Sequence, residues 1–155
     1  MTAADSLVLL DTNVVVNLVR WNSIGQRIDE DHGLLARKDR PLVSVVTAGE
    51  LSSLARKLGW TGKKQQRLQD ILLDLVVVPV LQGGLVSAYG EIDHFSERVQ
   101  QPARPMGKND LWIAAAANFT GATLLTADTD FDHLAPRFFS LVRVDAGSGA
   151  TLLQK

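Results

Sequence analysis

The sequence predicts an α/β fold, a central parallel sheet of about five strands flanked by helices. Two observations carry that prediction. Apolar runs of strand length alternate with longer stretches whose apolar residues recur at helical spacing. The first run, Leu7 to Leu10, is apolar at every position, as in a strand buried on both faces. At 155 residues, 46% hydrophobic and 21% charged, the chain fits one domain that buries roughly two-thirds of its unfolded surface.

The elements follow in order. After the strand at Leu7 comes Asp11-Thr12-Asn13, then a helix from near Val14 to about Arg20. Asn22 to Ala36 reads as a second helix, interrupted by Gly33. Pro41 to Val46 is a β-branched strand, and Thr47-Ala48-Gly49-Glu50 fits a capping box in which Thr47 caps and Glu50 folds back. That helix continues through Leu51, Leu54, Ala55 and Leu58 to Gly59. Lys63 to Leu75 carries Leu68, Ile71, Leu72 and Leu75 at helical spacing. Val76 to Val80 is a third strand, set at a sheet edge by Pro79. Leu85 to about Val99 is helical, and QQPARPMGKN is a loop. Asp110 to Phe119 is an alanine-rich helix, capped by Asn109 and ended by Gly121. Ala122 to Leu125 is a fourth strand leading into Thr126-Ala127-Asp128, a helical turn follows at Phe131 to Leu134, and Phe139 to Val144 is a fifth strand. The domain is expected to span 1–145, with 146–155 a loose tail.

Composition narrows the chemistry. The chain has no cysteine, which excludes disulfides and thiolate metal sites and suits a reducing cytoplasm. His32, His94 and His133 lack the spacing of a metal site. The N-terminus shows no basic n-region, and Ile71 to Leu81 is interrupted by Asp74 and Pro79, so neither a secretory signal nor a membrane span is expected. Net charge is -1, so no global basic field points to nucleic acid. A carboxylate cluster holding a cation, however, hides part of its negative charge in use.

The acids fall at equivalent places. Asp11 follows the first strand, Glu50 opens the helix after the second, Asp128 follows the fourth, and Asp110 opens the helix leading into the fourth. In a parallel sheet all strand carboxyl ends face one edge, where ligands bind and helix N-termini favour anions. Four carboxylates converging there repel one another, and a divalent cation relieves the repulsion. Oxygen donors without Cys or paired His select Mg²⁺ or Mn²⁺. Such an ion activates water and stabilises charge on a phosphodiester under in-line attack.

LVLLDTNVVVNLV, SVVTAGEL, GKNDLWIAAAA and GATLLTADTDFDHL together resemble the successive motifs of PIN-domain nucleases, most closely the VapC-type toxins of bacterial toxin–antitoxin pairs. The resemblance runs from about Leu7 to Val144. It implies a three-layer fold with strand order 3-2-1-4-5 and a Mg²⁺ or Mn²⁺ site made by Asp11, Glu50, Asp110 and Asp128. Thr12, Asn13 and Thr126 match supporting polar positions. Asp130 stands beside Asp128 as a further supporting acid, and Lys108 is placed to touch substrate phosphate. The implied activity is hydrolysis of RNA, often transfer RNA, leaving a 5′-phosphate and a 3′-hydroxyl. A cognate antitoxin and a homodimer are the implied partners.

Two readings of the acids fail on the residues. A haloacid-dehalogenase-type phosphatase needs an acid where Asn13 stands, and a response-regulator receiver needs an Asp where the third strand runs into Pro79. A housekeeping RNA-processing or DNA-directed PIN nuclease, and a non-catalytic PIN-fold binding module, remain as alternatives. The basic stretch Arg56 to Arg67, with Trp60 inside it, reads as a solvated helix corner, and Trp112 as core.

Overall fold

A computed structural model describes residues 6–81 and 83–153. Strand β1 (Val8–Leu10) leads into α1 (Thr12–Arg20), α2 (Ser23–His32) and a 3₁₀ turn at Leu34–Ala36. Then come β2 (Leu42–Ser44), α3 (Val45–Lys57), α4 (Gly62–Asp74) and β3 (Val76–Val78). Helix α5 (Gly83–His94) runs into a π-helical turn at Phe95–Val99, followed by α6 (Lys108–Thr120), β4 (Thr123–Thr126), a 3₁₀ turn at Asp132–Leu134 and β5 (Leu141–Arg143).

The five strands form one parallel sheet in the order β3-β2-β1-β4-β5. Strands β1 and β4, which carry acids at their ends, are therefore neighbours, with Leu10 opposite Leu125. The two-residue period of a strand sorts the core into two layers. Leu9, Leu42, Leu124 and Leu141 face one way and pack under α5 and α6. Val8, Leu10, Val43 and Leu125 face the other and pack under α1 to α4. Four consecutive buried alanines, Ala114 to Ala117, let α6 lie close to its neighbours. Gly84 of α5 meets the Phe119 ring so closely that a Cβ there would stand 2.7 Å from it. β3 is an edge strand as Pro79 suggested, with Val76 and Val77 exposed. No helix among the described residues is long and apolar enough to cross a membrane.

Several expected boundaries are corrected. Gly33, at φ 58°, ends α2 outright and splits the expected helix from Asn22 to Ala36. The second strand stops at Ser44, whose hydroxyl accepts from the Val46 amide and caps α3. Thr47 and Glu50 therefore lie inside the helix and form no capping box. The last helix starts at Lys108 with Gly107 as its cap, so Asn109 is already helical.

The expected loose tail turns back on the sheet. Val144 pairs antiparallel with Thr151, and the Leu152 amide donates to the Arg143 carbonyl. Thr151 meets the buried His32 ring at 2.9 Å. Gly149, at φ 78°, lies against Ile24, whose carbonyl oxygen would be 2.5 Å from a Cβ. Both conditions favour glycine there. The tail's last two residues, Gln154 and Lys155, lie outside the described residues.

Candidate metal centre

The carboxyl edge of the sheet holds a cleft of about 450 Å³ lined by Asp11, Thr12, Asn13, Asn17, Arg20, Glu50, Asp110 and Asp128, with Val16 between them. Each acid is delivered by a different element. Asp11 ends β1 and caps α1, where its Oδ1 accepts from the Thr12 amide at 2.8 Å. Its Oδ2 accepts from the Thr126 hydroxyl at 2.6 Å and from Asn13 Nδ2 at 3.1 Å. Three donors thus fix a carboxylate that is only 4% exposed. Burial pushes its pKa up, the Thr126 and Thr12 hydrogen bonds oppose this, and the charges of Asp128 and Glu50 add to the rise.

Thr126, fully buried at the end of β4, ties two of the acids together: its hydroxyl donates to Asp11 and accepts from the Asp128 amide at 2.9 Å. Asp128 in turn accepts from the Asp130 amide at 3.1 Å, which closes a tight turn. Asn13 bridges the same two strands, with Oδ1 accepting from the Ala127 amide at 3.1 Å.

Glu50 is aimed by hydroxyls. Thr12 Oγ1 donates to Glu50 Oε1 at 2.9 Å and lies 3.0 Å from Thr47 Oγ1. Since Thr12 has one hydroxyl proton and gives it to Glu50, Thr47 is the donor of the second bond. Starting α3 one turn earlier than the sequence suggested is what turns both side chains toward α1.

Asp110 stands in the first turn of α6, half-buried. Burial, then the charges of Asp11, Asp128, Asp130 and Glu50, push its pKa up to about 6. One carboxylate oxygen each from Asp110, Asp128 and Asp130 lie within 4.8 Å of one another. That donor set fits Mg²⁺ or Mn²⁺: it is all oxygen, anionic and crowded enough to gain from a cation.

The PIN domain family matches residues 8–136, most of the chain and the whole span that supplies these acids. The chain belongs to the PIN domain family. Among PIN relatives, Ribonuclease VapC1 of Haemophilus influenzae strain R2866 is 31% identical over 121 residues, 76% of this chain and 84% of that protein. Several solved structures are similar over nearly their whole length, among them the following two. VapBC2 from Rickettsia felis, bound to a DNA fragment from their promoter, has a TM-score of 0.68 at 25% identity, covering 87% of this chain and 96% of that one. VapBC-1 from nontypeable Haemophilus influenzae has a TM-score of 0.66 at 26% identity, covering 88% and 97%.

The PIN fold thus brings Asp11, Glu50, Asp110 and Asp128 to one cleft, with Thr12 and Asn13 in its wall and Thr126 beneath it. Asp130 is exposed, yet one of its carboxylate oxygens joins those of Asp110 and Asp128 within 4.8 Å. Lys108 is exposed at the first position of α6 and is not among the lining residues. Sequence reasoning missed Asn17 and Arg20. The signal was present: Asn13, Asn17 and Arg20 recur at helical spacing on α1, whose Val14, Val15, Leu18 and Val19 are buried. It also missed the Thr47 hydroxyl, which it read as a cap.

Proposed function

We propose that this chain is a Mg²⁺- or Mn²⁺-dependent endoribonuclease acting as the toxin of a toxin–antitoxin pair. The observation that carries the reading is the convergence of four carboxylates, from four separate elements, on one cleft. Relatives named Ribonuclease VapC1 and the likeness to VapBC structures support RNA as substrate and a cognate antitoxin as partner. A homodimer working in the cytoplasm, with one nuclease domain that includes the returning tail, completes the proposal.

Asp110 and Asp128, joined by Asp130, would hold the cation, with Asp11 at the floor of the cleft and Glu50 on its wall. When bound, the ion supplies positive charge to the phosphodiester and makes water a competent nucleophile at neutral pH. The chain's own part is arrangement. Thr126 and Asn13 hold Asp11 in one orientation, and the Thr47–Thr12 hydroxyl relay holds Glu50. Arg20 lines the cleft, and its guanidinium makes no hydrogen bond or ion pair among the described residues. Its guanidinium is available to a substrate phosphate, which offsets the repulsion between an acidic cleft and a polyanion.

The test is cleavage of total RNA, transfer RNA included, and of DNA, by purified protein with Mn²⁺ and with EDTA. RNA cleavage that requires the ion and falls at least about a hundredfold in Asp11→Asn and Asp128→Asn is expected. Undiminished metal-dependent cleavage in both variants removes these acids from the reaction. Ion-dependent cleavage of DNA alone selects the DNA-directed alternative, and no cleavage of either selects the binding module.

A further inference from the structure

We propose that Ser96 and His133 are positioning residues that set the spacing of Asp110 against Asp128 and Asp130. The inference rests on the cation-site reading above and concerns a buried polar knot outside the cleft.

Ser96 is fully buried in the π-helical turn that continues α5. Its hydroxyl lies 2.9 Å from His133 Nε2 and donates to Met106 Sδ at 3.5 Å. Its carbonyl accepts from the Arg104 amide at 2.7 Å. His133 Nδ1 is buried, with the Asp130 backbone beside the ring. The Phe95 ring lies parallel to the imidazole, 6.5 Å away, and the Arg137 guanidinium sits 4.6 Å above Phe95.

What gives the knot a role beyond packing is the pair of segments it joins. Arg104 and Met106 belong to the loop that ends at Gly107, the cap of α6, and so fix where Asp110 enters the cleft. His133 belongs to the 3₁₀ turn that directly follows Asp128 and Asp130. The three carboxylates within 4.8 Å of one another therefore come from two segments, and Ser96 bonds both. Neither segment is a strand, so sheet pairing does not fix their separation. A π-helical turn widens the helix by one residue and presents a side chain that an α-turn would aim elsewhere, a device common beside functional sites.

The experiment is isothermal titration of Mn²⁺ into wild type, Ser96→Ala, His133→Leu, His133→Gln and Leu68→Ala, with melting temperatures recorded for each. Leu68→Ala trims the core of the opposite layer and controls for general loss of stability. Ser96→Ala and His133→Leu are expected to weaken Mn²⁺ binding about tenfold or more, the range found when groups that orient ligands are removed. His133→Gln, whose amide can donate to or accept from the Ser96 hydroxyl, is expected to stay within about threefold of wild type, and Leu68→Ala to bind as wild type does. Wild-type affinity in both Ser96→Ala and His133→Leu overturns the proposal, as does an equal loss in Leu68→Ala. A wild type that binds no Mn²⁺ refutes the cation-site reading itself, before any variant is compared, and the positioning role falls with it.

Discussion

Thr126 shows how much of the cleft depends on one small side chain. It is fully buried, gives its proton to Asp11 Oδ2 at 2.6 Å and accepts from the Asp128 amide at 2.9 Å. Thr126→Val keeps the volume and removes both bonds, leaving a buried carboxylate short of one donor and a half-buried amide without its acceptor. A stability loss of about 1–3 kcal/mol in urea unfolding is expected, with RNA cleavage reduced about tenfold or more because Asp11 is no longer held. Thr126→Ser keeps the hydroxyl and should retain most of both. Equal activity in Val and Ser variants would show that the bond is incidental. At this scale Asp11, Asp110 and Asp128 were legible because each stands at a strand end or helix start, where a linear pattern marks it, whereas Glu50 was read as a helix-start residue and lies inside α3. Arg20 and Asn17 were harder to see, because their helical spacing from Asn13 marks a shared face of α1 and only the cleft beside it gives that face a role. The Ser96–His133 pair spans 37 positions, and no spacing rule links residues so far apart.

At the scale of elements, type and order were legible and some boundaries were not. Each missed boundary comes from competition between nearby caps. Ser44 and Thr47 are both good N-cap residues three positions apart, and Thr47 also begins a capping-box pattern. Tertiary structure decides between them: the Thr47 hydroxyl bonds Thr12 and is fully buried, so it cannot serve as a cap. Gly107 and Asn109 compete likewise, and Gly107 caps by backbone geometry alone. The consequence is measurable. Ser44→Ala should lower stability by about 0.5–2 kcal/mol, the usual cost of a lost cap. Asn109→Ala, exposed and inside the helix, should be neutral within about 0.5 kcal/mol. Chemical denaturation of the two variants separates them, and the reverse order would reinstate Asn109 as the cap. The tail was illegible for a different reason. Its order comes from Thr151 on His32 and Gly149 on Ile24, contacts with a helix more than a hundred residues earlier.

At the scale of the whole molecule, the sheet gathers like charges at one edge, and the stability of the metal-free fold should record it. The strand order that does this was legible only through family resemblance, because the residues alone mark strand ends and not their neighbours. Asp110 is pushed up to about 6 by burial and by Asp11, Asp128, Asp130 and Glu50, from an ordinary 3.8. Between those values the folded protein binds the proton more tightly than the unfolded chain. This group's contribution to stability is therefore full below the lower value and lost as pH rises through the upper one. Asp11 is raised too and acts in the same direction. His32 and His133 oppose it. Burial lowers both, so the unfolded chain binds their protons more tightly and stability falls as pH drops below the ordinary histidine value. The wild-type curve mixes these signs, and comparison with Asp110→Asn isolates the acid. In EDTA, Asp110→Asn should gain melting temperature over wild type at about pH 7.5, where Asp110 is charged. The gain should shrink at about pH 5, where the wild-type carboxyl is mostly protonated. Excess Mn²⁺ should reverse the order at the higher pH, because an ion that binds the native state stabilises it more the tighter it binds, and the variant has lost a carboxylate ligand. If Asp110→Asn is equally destabilised at both pH values in EDTA, the charge crowding is too weak to act on the fold. The cation would then be drawn to the cleft by geometry alone.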